Sequence, residues 1–321
     1  MRQSMQDEGG RVTPMHGEEI AIALRSTVVA PRTAVELAKK LDGIRSLSHI
    51  FIPEVSQKGG FQSLEISSAC LGVSKRLRIG SGVIRILEHD PDLLAARLLT
   101  LQALSDNRFV LGIGTGKPGG DPKKTIQSML ERLRATSNSF GKSVKGSDHL
   151  RMPETFIATL RRGIAKAVIG HSDGILLNFC PPEYARALIE SVRRNTGRLP
   201  IVSCYLKLFY SRREDSAKRM LIQEFVNYNV NPSYHKMFEL AGVADEIASA
   251  SSVLSSNREK INLSEGLLRI SLANPSKEEL AGHINRFRDA GVDLPCLYPY
   301  FQGDEDESFM MGKVEEIATL K

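Results

Sequence analysis

The sequence predicts an α/β fold, specifically a (β/α)8 TIM barrel of eight parallel strands. Three observations lead there. Short apolar runs alternate with helical stretches along almost the whole chain, as repeated βαβ units do. Each run is too apolar to face water on either side, which suits a closed parallel barrel better than an open sheet. Within residues 76–116 two glycine-ended strands flank one helix, and about 40 residues is the length of a right-handed parallel crossover.

The elements follow in order. Ile20 to Leu24 is the first strand; the helix after it starts at Pro31, carries Val35, Leu37, Ala38 and Leu41, and is closed by Gly43. His49 to Ile52 is strand two, ending at Pro53-Glu54, and Phe61 to Leu71 carries the second helix. Arg76 to Val83 is strand three, where glycines at 80 and 82 let backbone or a planar ligand approach closely. Asp90 and Pro91 suit the N-cap and first turn of a helix that runs through Leu101. Phe109-Val110-Leu111 opens strand four, which runs into Gly112-Ile113-Gly114-Thr115-Gly116. Pro122 to Ala135 is an amphipathic helix, and residues 136–153, rich in Ser, Lys and Gly, read as an exposed excursion.

Thr155 to Leu160 is strand five, Arg162 to Gly170 a short helix, and Gly174 to Phe179 strand six. The next helix opens at Pro181-Pro182-Glu183, runs to Arg194 and stops at Gly197. Pro200 to Phe209 is strand seven. Residues 212–293 are nearly all helical in pattern, with a capping box at Ser276 and Glu279. Leu294 to Tyr298 makes strand eight and Phe309 to Leu320 the last helix. The rival arrangement is a doubly wound sheet followed by a helical second domain after residue 210.

The expected organisation is a loose N-terminal lead-in over residues 1–17, then a single barrel domain over 18–321 with a helical insertion over 212–293. Apolar content of 41% with 25% charged residues is ordinary for a soluble globular protein, and no run of 18 apolar residues is present to span a membrane. The lead-in lacks the basic start and apolar core of a signal peptide, so a cytoplasmic location is expected. The four cysteines lie far apart in apolar surroundings and read as buried free thiols. A net charge of +6 is spread along the chain without an aromatic-interleaved basic stripe, so neither nucleic acid nor membrane is expected as a partner.

In a barrel, ligands bind where strands end, so the residues just past each strand are the candidate site. These are Arg25 and Ser26, Glu54, Gly82 to His89, Gly114 to Lys117, Thr159 to Arg162, Asn178 and Phe179, and Tyr298 to Phe301. Other signals fall away. Gly112-x-Gly114-x-Gly116 lacks the spacing of a dinucleotide fingerprint, and Gly116-Lys117 and Gly141-Lys142-Ser143 lack the first glycine of a P-loop. The histidines are scattered outside metal-ligand spacing, and the acidic run 304–307 reads as a solvated loop, so no metal is expected.

At these residues the chain resembles the luciferase-like flavin and deazaflavin oxidoreductases, most of all the methylenetetrahydromethanopterin reductases that use the deazaflavin coenzyme F-420. The likeness runs from about Ile20 to Phe209 and again over Leu294 to Phe301. It is carried by Arg78-Ile79-Gly80-Ser81-Gly82-Val83 with Pro91 eight residues on, by Asn107 to Gly116, and by Ser172-Asp173-Gly174-Ile175-Leu176-Leu177-Asn178. The resemblance implies a non-proline cis peptide at Gly82-Val83 against the middle ring of the cofactor. Replacing Gly82 with a β-branched residue is then expected to weaken cofactor binding more than stability. The resemblance also implies a phosphate held in the turn Thr159-Leu160-Arg161-Arg162-Gly163, with Gly114 and Asn178 at neighbouring strand ends. Here Arg161-Arg162 replaces the family's usual Gly-Pro: two guanidinium groups would clamp a phosphate, or their side chains would block the cradle.

The family's Asp-His pair after strand two is replaced by Pro53-Glu54-Val55. Glu54 fits a proton donor if burial raises its pKa, and it also fits a surface carboxylate; His89 is the other titratable candidate. The expected activity is hydride transfer between a deazaflavin and a small organic substrate, and the resemblance implies a homodimer, since relatives commonly pair. The alternatives are an FMN-dependent monooxygenase and a barrel that has lost catalysis and serves a binding or structural role.

Overall fold

The computed structural model describes residues 19–25, 29–54, 61–114, 116, 121–143, 149–196, 200–254 and 261–320; the expected lead-in over 1–17 lies outside them. The first half of the chain alternates strictly: β1 (Ile20–Ala23), α1 (Pro31–Leu41), β2 (Leu47–Ile52), α2 (Ser63–Val73), β3 (Arg78–Arg85), α3 (Pro91–Ser105), β4 (Phe109–Gly114) and α4 (Pro122–Ser143). It continues with β5 (Glu154–Ala158), α5 (Arg162–Val168), β6 (Gly174–Asn178), α6 (Pro182–Thr196) and β7 (Ile201–Tyr210). Then come α7 (Glu214–Asn229), α8 (Pro232–Leu240), α9 (Ala244–Leu254), α10 (Glu265–Leu268), β8 (Leu272–Ala273), α11 (Lys277–Asp289), β9 (Leu294–Phe301) and α12 (Glu307–Ala318).

Every strand pairing is parallel. Neighbours run from β1 through β6 to β7, then to β9 and back to β1, which closes an eight-stranded barrel. The rival open sheet is therefore excluded. The strands are buried on both faces, with β1, β4 and β9 buried at every position, and the helices cover the outside. β7 is twice the length of its neighbour β6. Its first half pairs with β6, and beyond the end of β6 its Leu208 and Phe209 take the two-residue β8 as partner. The stretch read as nearly all helical thus contains one short strand, too brief to show a period of two in the sequence.

Two boundaries also differ from expectation. Helix α4 runs on to Ser143 rather than stopping near Ala135, because Thr136 donates to Asp92 of α3 and Ser137 is buried. Tertiary packing overrides the weak helix propensity of Thr and Ser. Strand β3 continues past Val83 to Arg85 because it contains a bulge. Ser81 pairs with Leu111 and Ile84 with Ile113, so Gly82 and Val83 together face the single residue Gly112.

The N-terminal end of the barrel is tied by buried or half-buried polar groups. Asp42 accepts the backbone N–H groups of Lys75, Arg76 and Leu77 at 2.9–3.0 Å, and Arg108 donates to the carbonyls of Leu71, Ser74 and Leu77. Asp173 and Asp293 accept from the second residues of β5 and β7, Thr155 and Val202. These ties satisfy strand-end amides and serve stability at the end of the barrel away from ligand chemistry.

Glycine at position 80 is required by close approach rather than by dihedral freedom. A Cβ there would overlap the carbonyl oxygen of Val110 on β4 and lie 2.8 Å from its nitrogen. Because the obstacle is backbone inside a ladder, it cannot swing away. Gly80→Ala is expected to lower the unfolding free energy by about 3 kcal/mol or more, measured by urea denaturation. A variant with the parent's stability would show that β3 and β4 separate readily.

Candidate active site at the C-terminal mouth

The bulge in β3 shapes the mouth. Ser81 Oγ donates to the Gly112 carbonyl at 2.9 Å and accepts from the Gly112 N–H at 3.1 Å, which holds β3 to β4 where the ladder is interrupted. The peptide joining Gly82 to Val83 is cis, and the Gly82 carbonyl accepts from Tyr205 Oη at 2.5 Å. The Val83 carbonyl accepts from the Glu54 N–H at 3.3 Å. A Cβ on Gly82 would meet Tyr205 Oη and lie 2.6 Å from Phe51 Cβ. Both obstacles belong to the barrel interior, so a β-branched residue at 82 disturbs the core as well as the mouth. The lost space therefore does not lie at the mouth alone, and a loss of stability is expected beside the loss of cofactor binding.

A cavity of about 710 Å³ opens beside the bulge, within the usual range for a small-molecule site. Of the residues picked out from the sequence, Glu54, Gly82, Val83, Thr159, Leu160, Arg161 and Asn178 line it. Gly114, His89 and Arg162 do not. Gly114 stands behind Val83, where an added Cβ would come 3.1 Å from Val83 Cγ2. Arg162 begins α5 and is exposed, so the expected pair of guanidinium groups facing the mouth reduces to Arg161. Its N–H donates to Thr159 Oγ1 at 3.0 Å and its guanidinium to Ser233 Oγ at 3.3 Å.

Glu54 and His89 form one unit. His89 Nε2 lies 2.9 Å from Glu54 Oε1, the Arg85 N–H donates to Oε2 at 2.8 Å, and the Arg85 side chain adds a longer ion pair at 3.9 Å. Burial pushes the Glu54 carboxyl up, but the His89 and Arg85 hydrogen bonds and charges outweigh it and hold the pKa below its ordinary value. The premise of a raised pKa is therefore overturned. At neutral pH Glu54 is an ionised acceptor at the cavity wall, with His89 behind it. The carboxylate–histidine pair is assembled between two neighbouring strands, Glu54 just past β2 and His89 four residues past β3, rather than from adjacent residues.

Strand-end counting did not select Lys207, Glu224, Tyr228 or Tyr234, which stand on the far side with Asn178, Tyr298 and Tyr300. Lys207, in the middle of β7, has no exposed side-chain surface. Its ammonium bonds Glu224 and sits 3.8 Å from the ring centre of Tyr228, 4.6 Å from Phe179 and 5.1 Å from Tyr300. Glu224 and Tyr228 are one turn apart on α7, and both face the cavity. Asn178 donates to the hydroxyls of Tyr228 and Tyr234 at 3.2 and 2.7 Å, while its Oδ1 is buried without a partner. The sequence signal that would have found Lys207 is a lone charge inside a ten-residue apolar strand. Tyr298 and Tyr300 also line the cavity, and burial pushes both phenols up, so they stay neutral.

A parallel barrel with charged and aromatic side chains gathered where its strands end defines the class: an α/β barrel with a mouth site of the kind that holds a small ligand or cofactor. The sequence matches the luciferase-like monooxygenase family over residues 11–294. The chain belongs to that family. No curated protein matches it by sequence. Among solved structures it is similar to an F420-dependent secondary alcohol dehydrogenase in complex with an F420-acetone adduct, with TM-score 0.68, 14% identity and coverage of 95% of this chain and 99% of that one. It is similar also to the coenzyme F420 dependent tetrahydromethanopterin reductase from Methanopyrus kandleri, with TM-score 0.63, 13% identity and coverage of 94% and 99%. The oxygenating constituent of 3,6-diketocamphane monooxygenase from the CAM plasmid of Pseudomonas putida, in complex with FMN, aligns with TM-score 0.58, 12% identity and coverage of 94% and 97%. At these identities the likeness speaks for the fold, shared by deazaflavin and flavin proteins alike.

Substitutions at the two carboxylates check the electrostatics. Glu224→Gln leaves the Lys207 ammonium among aromatic rings without its counter-ion, and is expected to destabilise the protein by about 3–5 kcal/mol. Adding Lys207→Met should recover much of that loss in a double-mutant cycle; simple additivity would refute the coupling. Glu54→Gln is expected to cost about 1.5–3 kcal/mol at pH 7. Because the folded pKa of Glu54 is lowered, its contribution is complete above about pH 4.3, the ordinary carboxyl value. It disappears as pH falls through the folded value, so the parent and Gln stabilities should converge in acid.

Proposed function

We propose that this chain is an oxidoreductase that transfers a hydride between a deazaflavin coenzyme and a small organic substrate at the mouth of the barrel. The observation that carries the reading is the cavity itself, walled by the Gly82–Val83 bulge on one side and by aromatic side chains on the other. The residues present fit such a cofactor. The bulge brings Gly82 and Val83 to the cavity wall, and the unpartnered Oδ1 of Asn178 and the Arg161 guanidinium stand on the cavity lining as well. Gly82 and Val83 would support the ring, with Gly114 backing Val83. Thr159, Leu160 and Arg161 would take the phosphate side, with Arg162 contributing charge from outside.

A bound deazaflavin supplies paired-electron chemistry with little reaction towards oxygen, whereas FMN in the same place would supply oxygen activation and make the protein a monooxygenase. The residues of this chain do the rest. They hold the substrate against the cofactor's exposed face and exclude water by closing aromatic walls around it. Glu54, kept ionised by His89 and Arg85, accepts a hydrogen bond or proton from the substrate hydroxyl, and Tyr298 and Tyr300 remain protonated donors. The deazaflavin reading is favoured by the motif likeness to that branch over Arg78 to Val83 and Asn107 to Gly116.

An absorption titration of the purified protein with coenzyme F-420 and with FMN tests the reading. Saturable binding of F-420 in preference to FMN is expected; preference for FMN would support the monooxygenase alternative, and binding of neither would favour the non-catalytic barrel. In the loaded enzyme, Glu54→Gln should slow hydride transfer by about 100-fold with cofactor affinity nearly unchanged. Transfer at the parent's rate across the pH range would remove Glu54 from the chemistry.

A further inference from the structure

Arg25 brings an unmatched positive charge to the β1 side of the mouth. It follows the end of β1, is half-buried and lines the cavity, with its guanidinium 5.8 Å from the ring centre of Tyr300. Among the described residues its guanidinium forms no hydrogen bond and no ion pair, and the charge of Glu224 reaches it only at longer range. The two carboxylates on the cavity wall are already engaged. Glu224 is bonded to the buried Lys207, and Glu54 to the Arg85 N–H and His89. A half-buried charge left in this state favours an incoming anion, since the local dielectric screens it less than water would.

The strand order separates this charge from the phosphate side of the proposed cofactor. Going round the barrel, β5 is the fourth strand from β1 in either direction, so Arg25 and the Thr159–Arg161 turn stand on opposite sides of the mouth. An anion at Arg25 belongs to a second ligand. One unmatched charge suits a monoanion, and a planar guanidinium fork suits a carboxylate, which accepts two parallel N–H bonds. The adjoining walls are the rings of Tyr298 and Tyr300, 4.8 Å apart, with Tyr228 beyond them. They offer aromatic faces to the body of the ligand and neutral phenols to its oxygens.

We infer that Arg25, with Tyr298 and Tyr300, forms the substrate subsite, and that the substrate is a small carboxylate with a planar or apolar body. This deepens the oxidoreductase reading and rests on it for the word substrate. Calorimetric titration of the full chain with benzoate and with benzamide, before and after loading with whichever cofactor binds, tests it. Benzoate is expected to bind about ten- to a hundredfold more tightly than its neutral amide. Arg25→Gln should abolish that preference while cofactor affinity holds, and Arg25→Lys, which keeps charge without the fork, should retain only part of it.

Equal binding of the two probes, no binding of benzoate, or a preference that survives Arg25→Gln overturns the subsite. If circular dichroism shows the Gln variant unfolded, Arg25→Lys decides: reduced benzoate affinity supports the subsite and unchanged affinity overturns it. A protein that binds neither cofactor yet still discriminates the probes would keep the subsite and lose the redox reading. One that binds a cofactor without discriminating would do the reverse.

Discussion

One extra residue in β3, opposite a single residue of β4, governs the mouth of this barrel. Gly82 and Val83 fill the space that Gly112 faces alone, and the ladder resumes only at Ile84. The hydrogen bonds of three other elements converge on the bulge. Ser81 bridges it to β4, Tyr205 reaches the Gly82 carbonyl from β7, and the Glu54 N–H reaches the Val83 carbonyl from the end of β2. Because the bulge extends β3 to Arg85, the Arg85 N–H arrives where it can bond Glu54. A local irregularity in one strand thereby sets the position and ionisation of a carboxylate on another.

Charge organises the cavity as much as shape does. Glu54 is matched on the β2–β3 side and Glu224 on the β7 side, so each carboxylate already has its partners. Arg161 and Arg25 remain as the cationic groups on opposite walls. The buried Lys207 has a different part: caged by rings and by Glu224, it holds α7 against the barrel and aligns Tyr228 with the cavity. Buried ion pairs contribute little net stability against an apolar alternative, yet they penalise misplacement strongly. Here the penalty fixes one wall of the cavity.

Much of the barrel was legible from the chain because its signals are local. Alternating apolar runs, Pro91 after the Asp90 cap, and the Ser276–Glu279 capping box each reflect interactions within one element. Residues just past strand ends identified Glu54, Gly82, Val83, Thr159, Leu160, Arg161 and Asn178 as cavity-lining for the same reason: a parallel barrel puts every strand's C-terminal end on one face. Arg162, one residue beyond Arg161, shows the limit of that rule, since a helical turn carries it out of the mouth.

The sequence by itself determined the order of elements, the closed parallel architecture and the end of the barrel at which the cavity opens, because each follows from backbone geometry and apolar periodicity. Only the tertiary structure decided which side chains meet there. Glu54 and His89 lie 35 residues apart and become hydrogen-bonded through the alignment of β2 and β3. Lys207 and Glu224 pair between a strand and the helix folded over it. The sign of the Glu54 shift depends on those partners as well as on burial, and a partner's distance in space is not written in its distance along the chain.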